Sequence, residues 1–132
     1  MTKHTAVLAA LLTAVLSVRP LDITGEWTVT ATLAAAGAGK GSRQQRIELV
    51  CTFEQHDAGL TGSCRPPGGP EGAPLTGTAD GTRVEWSFEI APNDTAAKQP
   101  ARFRGTVRGD GSAMKGAIEF AESRGGFQAR RR

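Results

Sequence analysis

The stretch Gly25-Glu26-Trp27-Thr28-Val29-Thr30-Ala31-Thr32-Leu33 alternates without a break. Successive side chains of an extended chain point to opposite faces, so Trp27, Val29, Ala31 and Leu33 share one side. Glu26, Thr28, Thr30 and Thr32 share the other. The pattern predicts a half-buried strand over residues 24–34. It runs into Ala35-Ala36-Gly37-Ala38-Gly39-Lys40-Gly41-Ser42, a low-complexity loop.

The same period recurs to the end of the chain. A second strand over residues 45–55 turns Ile47, Leu49, Cys51 and Phe53 inward, with Val50 as the apolar exception on the outer face. His56-Asp57-Ala58-Gly59 forms a tight turn into a third strand carrying Leu60, Gly62 and Cys64 inward. If Phe53 lies opposite Gly62, the same register sets Cys51 directly opposite Cys64. A cross-strand disulfide there contributes about 3 kcal/mol. After the Pro- and Gly-rich loop Arg65 to Gly72, a fourth strand turns Leu75, Gly77 and Ala79 inward. Asp80-Gly81 turns it into a fifth with Val84, Trp86, Phe88 and Ile90 inward. A long loop runs from Pro92 to Pro100. The sixth strand buries Ala101, Phe103, Gly105 and Val107, and the seventh Met114, Gly116, Ile118 and Phe120. After Arg124-Gly125-Gly126, the eighth buries Phe127 and Ala129 and brings Arg131 to an inward position.

Connections after strands 2, 4 and 6 are short; those after 1, 3, 5 and 7 are long or Gly-rich. In an up-and-down barrel alternate connections share an end. The expectation is an all-β, eight-stranded antiparallel up-and-down β-barrel, with a closed floor at Trp27 and an open mouth ringed by residues 35–44, 65–73, 92–100 and 121–126. The inward glycines at 62, 77, 105 and 116, each following an apolar-x pair, mark bends or close backbone approach.

Residues 1–19 read as a secretory signal peptide or N-terminal hydrophobic segment. Lys3 and His4 form a basic start, and Thr5 to Val18 is an apolar run shorter than a membrane-spanning helix. No A-x-A site precedes Arg19-Pro20, so an uncleaved anchor is the alternative. Residues 20–132 then form a single barrel domain, secreted or periplasmic, in a compartment where Cys51 and Cys64 oxidise. The chain's 17 Gly and 7 Pro among 132 residues favour all-β structure, with no helix beyond the leader. The net charge of +3 shrinks once Lys3 and Arg19 are set aside, leaving 14 basic against 13 acidic residues. No basic face alternates with aromatic platforms, so no nucleic-acid partner is expected. No membrane span is expected once the leader is removed, and the barrel is expected to be a monomer.

Gly25-x-Trp27 on the first strand with inward Arg131 on the last is similar to the signature of the calycin superfamily, the lipocalins and avidins. The resemblance implies that the arginine packs over the tryptophan at the closed end, a contact worth roughly 0.5–2 kcal/mol. Ile23-Thr24-Gly25-Glu26-Trp27, Leu60-Thr61-Gly62, Gly77-Thr78-Ala79-Asp80-Gly81 and Met114-Lys115-Gly116 also resemble the texture of small secreted bacterial barrel domains. The chain has no Tyr and no inward Ser or Asn cluster on strands 1 to 3, so the polar cradle of an avidin for biotin is absent.

Trp86, Phe53, Phe88, Phe103, Phe120 and Phe127 all face inward. They either fill the barrel or wall a dry pocket for an apolar molecule. The first functional expectation is a small-molecule-binding barrel whose hydrophobic ligand lies against Trp86, Phe88, Phe103 and Phe120. The second is a protein-interaction or protease-inhibitor-type module without a small ligand, engaging a secreted protein through its loops or through Arg19 to Thr24. No enzyme is expected. One histidine beyond the leader, His56 on a turn, leaves no Ser-His-Asp set and no metal cluster. The acids are dispersed on the outer face, where register pairs Arg102 with Glu119 as a surface ion pair. No cofactor is implied.

Overall fold

The computed structural model describes residues 21–35, 44–69, 72–91 and 97–132. The expected leader, residues 1–19, lies outside the described residues. So do most of the expected mouth loops at 35–44 and 92–100 and part of the loop at 65–73. Eight strands follow in chain order: β1 (Gly25–Ala35), β2 (Gln45–His56), β3 (Gly59–Arg65), β4 (Ala73–Asp80), β5 (Arg83–Ile90), β6 (Gln99–Val107), β7 (Ala113–Phe120) and β8 (Ser123–Arg131). Each pairs antiparallel with the next, and β8 pairs with β1, closing the barrel. Closure removes every sheet edge, so no strand is left with an open row of backbone donors and acceptors. None of the described residues is helical.

The alternation read from the sequence sets the inner face. Trp27, Val29, Ala31 and Leu33 of β1 are buried, as are Val84, Trp86 and Phe88 of β5. Among the described residues, no polar or charged residue is buried. Register between β2 and β3 places Phe53 opposite Gly62 and Cys51 opposite Cys64, and the two cysteines form a disulfide with Cα atoms 4.0 Å apart. Val50, the outer-face exception, is buried too, between Thr28 and Arg65 in register.

The inward glycines serve close approach. A Cβ on Gly105 would stand 2.6 Å from the Lys115 carbonyl oxygen and 2.7 Å from Cζ of Phe127. At Gly77 and Gly116 it would run into the backbones of Glu85 and Arg104 on the neighbouring strand. Bare backbone at these positions lets neighbouring strands close in and leaves inner volume for the aromatic rings.

Two expectations about turns change. Gly125 and Gly126 do not belong to a mouth loop but lie within β8; the β7–β8 connection is only Ala121 and Glu122, with Ala121 at φ 53°. Gly125 sits in the strand because a Cβ there would collide with the Thr32 carbonyl of β1. The β4–β5 turn is shifted by one residue, to Gly81 and Thr82, with Gly81 at φ 58°. A positive φ is adopted by glycine without steric cost.

Candidate functional site

The closed end is built from the residues just before β1. The chain crosses the floor through Leu21 to Thr24, and Ile23 is driven into the barrel to 1% exposure. Trp27, fully buried, donates its Nε1–H to the Ile23 carbonyl at 2.9 Å. Arg131, directly opposite Trp27 in the β1–β8 register, lays its guanidinium 4.8 Å from the indole centroid. The same guanidinium donates from Nη1 to Thr24 O at 2.6 Å, from Nη2 to Asp22 O at 2.8 Å and from Nε to Gly111 O at 3.2 Å. It therefore ties the entering segment, the β6–β7 turn and the last strand together while covering the ring face. Gly25 clears the way: a Cβ there would stand 3.2 Å from Nη1 of Arg131, on a backbone at φ 134°. Gln55 completes the clamp, accepting from Ile23 N at 3.0 Å and donating its own backbone N–H to Thr24 Oγ1 at 3.0 Å.

The middle of the barrel is aromatic. Trp86 and Phe103 face each other across the β5–β6 pairing and stack with centroids 4.7 Å apart and planes 3° from parallel. Phe53 meets Trp86 edge-on at 5.1 Å. Phe127 meets both members of the stack edge-on, at 5.2 and 5.3 Å. Phe88 extends the stack beyond Phe103 at 5.8 Å. These separations are those of rings in mutual contact. Of the four residues expected to line a ligand, Trp86, Phe88 and Phe103 are thus packed on one another, each under 5% exposed. Phe120 stands apart: it is half-buried at the mouth, with Ile47, Ala73 and Ile90. Nε1 of Trp86 is buried with no hydrogen-bond partner. An indole N–H in that state costs about 1–3 kcal/mol.

Three concavities lie over the outer face of the barrel. A groove of about 310 Å³ runs over the outer side of β4–β7, between Thr76, Ser87, Arg102 and Glu119. Two more, of about 730 and 350 Å³, lie over β6–β8 and β1 and share Thr106, Lys115 and Gln128. Across the first groove the expected Arg102–Glu119 ion pair is not formed. The two are opposite in register, but Glu119 turns to Arg124 on β8 at 4.0 Å. Glu119 lies opposite Arg124 in the β7–β8 register as well, so two arginines compete for one carboxylate.

Charge divides by strand. Residues 21–98 carry 6 Lys and Arg against 10 Asp and Glu, whereas residues 99–132 carry 8 against 3. The nearly neutral total hides this division, and β6, β7 and β8 are adjacent in the barrel, so the excess becomes a basic wall. The division could have been read by counting charges strand by strand.

Two carboxyls are perturbed. Asp22 accepts from Thr24 N at 2.9 Å, and the bonds from Thr24, with the nearby Arg131 charge, hold it below the usual carboxylate range. Asp110 accepts from Ser112 N and Oγ at 3.0 and 2.6 Å and is lowered for the same reason, with help from Arg108. His56 is exposed and stands 3.8 Å from Glu54. Among the described residues no three His, Cys, Asp or Glu side chains gather into a metal-holding group. Comparison with known proteins finds no matching family and no matching curated protein.

Proposed function

We propose that this chain is an exported, non-enzymatic binding barrel of calycin type, monomeric, whose interior serves as scaffold and whose outer surface meets the partner. The observation that carries this reading is the aromatic packing: Trp86 stacked on Phe103, with Phe53 and Phe127 set edge-on around them, occupies the space that a carried molecule would need. The calycin assignment is supported by the Gly25-x-Trp27 and Arg131 geometry on a closed eight-stranded barrel. Export is supported by the Cys51–Cys64 disulfide. Among the described residues, no helix is long and apolar enough to cross a membrane. The protease-inhibitor version loses ground, because Ile23 and Thr24 of its inhibitory segment are pinned into the floor.

A second reading keeps a hydrophobic small molecule. It is favoured by the half-buried ring of Ile47, Ile90 and Phe120 at the mouth and by the unpaired Trp86 Nε1, a donor that a ligand oxygen would satisfy. Tryptophan fluorescence titration with fatty acids, retinoids and small aromatics separates the two. The scaffold reading expects no saturable change. A one-to-one saturable quench by any of these compounds would replace it with the carrier reading.

A further inference from the structure

The wall of β6–β8 offers a site of definite chemistry. Along it, register sets out three rows of outward side chains. Arg108, whose N–H bonds Ala113 O, begins a row through Ala113 to Arg130 and Thr28. Thr106, Lys115, Gln128 and Thr30 form the next. Arg104, Ala117, Gly126 and Thr32 form the third, which continues to Arg46. Side chains at diagonal positions on a sheet stand roughly 7–8 Å apart, so Lys115 neighbours Arg130. The small residues Ala113, Ala117 and Gly126 stand between long cationic and polar ones. The two grooves follow the dips at Gly126 and Ala113 and join at the Thr106, Lys115 and Gln128 row.

The cations of this track divide into engaged and free. Arg104 pairs with Glu85 at 3.3 Å and Arg46 with Glu48 at 3.1 Å. Among the described residues, Arg108, Lys115 and Arg130 have no carboxylate within ion-pair distance. The acid that influences Arg108, Asp110, already accepts two hydrogen bonds from Ser112. The free cations are all exposed, and the 350 Å³ groove is lined by all three and by no acid.

We propose that the joined grooves bind an acidic polysaccharide, with Arg108, Lys115 and Arg130 meeting its carboxylates or sulfates and Thr30, Thr32, Thr106 and Gln128 its hydroxyls. Charge complementarity selects a polyanion. The neutral residues choose among polyanions. Hydroxyl and amide side chains run the length of the track and match a hydroxyl-rich chain. Single-stranded nucleic acid needs aromatic platforms, and both Trp and all five Phe lie on the inner side or at the mouth. An anionic membrane favours large apolar side chains to insert, and the outward apolar side chains in the three rows are the small ones of half-buried Ala113 and exposed Ala117. The two grooves share Thr106, Lys115 and Gln128, so cationic and hydroxyl-bearing side chains lie along one continuous surface.

The inference rests on the reading that the barrel acts through its outside. A saturable hydrophobic ligand in the fluorescence titration would remove that reading, whereas the following measurement judges the wall itself. The full chain is titrated by calorimetry with polygalacturonate and heparin oligosaccharides at low and physiological salt. Binding that weakens with salt is expected. The variant Arg108→Gln/Lys115→Gln/Arg130→Gln, altered only at exposed positions, should bind on the order of tenfold more weakly. A second variant, Arg65→Gln/Lys98→Gln/Arg102→Gln, removes equal charge outside both grooves and should stay within about twofold. Absence of binding at low salt, or equal loss in the two variants, would overturn the proposal. So would tighter binding to oligo-dT or to phosphatidylglycerol vesicles than to either polysaccharide.

Discussion

The two ends of the barrel are held by different means. At the floor, one guanidinium makes three hydrogen bonds and covers an indole, Gln55 makes two more, and Ile23 plugs the opening. At the mouth, Ile47, Ile90 and Phe120 are only half-buried and rest on the core by contact alone. The floor ties its strands together through residues distant in sequence. The contrast teaches that the long-range polar ties from Arg131 and Gln55 to the entering segment gather at the floor. The floor spends its polar groups on itself, while among the described residues Arg108, Lys115 and Arg130 of the β6–β8 wall have no carboxylate within ion-pair distance.

The strongest way to break the contrast is at Trp27. Trp27→Ala should cost about 3–5 kcal/mol, because the cavity would lie among groups fixed by hydrogen bonds and unable to collapse. Denaturant unfolding with the disulfide intact measures it; a loss below about 1 kcal/mol would mean that the floor is not the keystone. Opening the disulfide through Cys51→Ala/Cys64→Ala comes next, at about 2–4 kcal/mol. Arg131→Gln follows, at about 1.5–3 kcal/mol, from the lost charged hydrogen bonds and the uncovered ring. Arg131→Lys should fare little better than Gln, since an ammonium cannot reproduce a planar fork reaching three carbonyls.

Much of this was legible beforehand, for physical reasons tied to particular residues. Strand alternation is enforced by the pleat, so Trp27 to Leu33 and Val84 to Ile90 declared their inner faces. The Phe53–Gly62 pairing carried Cys51 and Cys64 with it, because register is a single number for a strand pair. Gly125 and Gly126 misled, since glycine marks both turns and close strand approach, and only the nearness of Thr32 on β1 decides which. The Arg102–Glu119 pair misled because register gives proximity but not choice among competing partners. The aromatic set was visible as inward-facing, yet whether it fills the barrel depends on ring planes, which no pattern encodes. The basic wall was countable from the start and acquired meaning only when β6–β8 became one surface.

Phe120 sharpens the contrast from the other end. A buried Phe cut to Ala usually costs about 3–5 kcal/mol. Phe120 is only half-buried at the rim, so Phe120→Ala should cost less than about 2 kcal/mol. Its effect should also add to that of Trp27→Ala, as expected for sites that share no partners. A double-mutant cycle with a coupling above about 0.5 kcal/mol would join the two ends into one cooperative unit.

The smallest effect concerns pH and isolates the floor's outer edge. The folded state holds the Asp22 carboxyl below its ordinary value through the bonds from Thr24 and the nearby Arg131. A group whose pKa is lowered on folding contributes stability above the unfolded value and loses it as pH falls through the folded one. Wild-type melting temperature should therefore drop more steeply between about pH 5 and 2 than that of Asp22→Asn, with the two converging at the acid end. Because Asp22 is exposed, solvent screens the effect, and it should be smaller than that of any floor substitution above. Parallel melting curves would show that the carboxylate is a bystander and that Arg131 holds the entering segment through its carbonyl contacts alone.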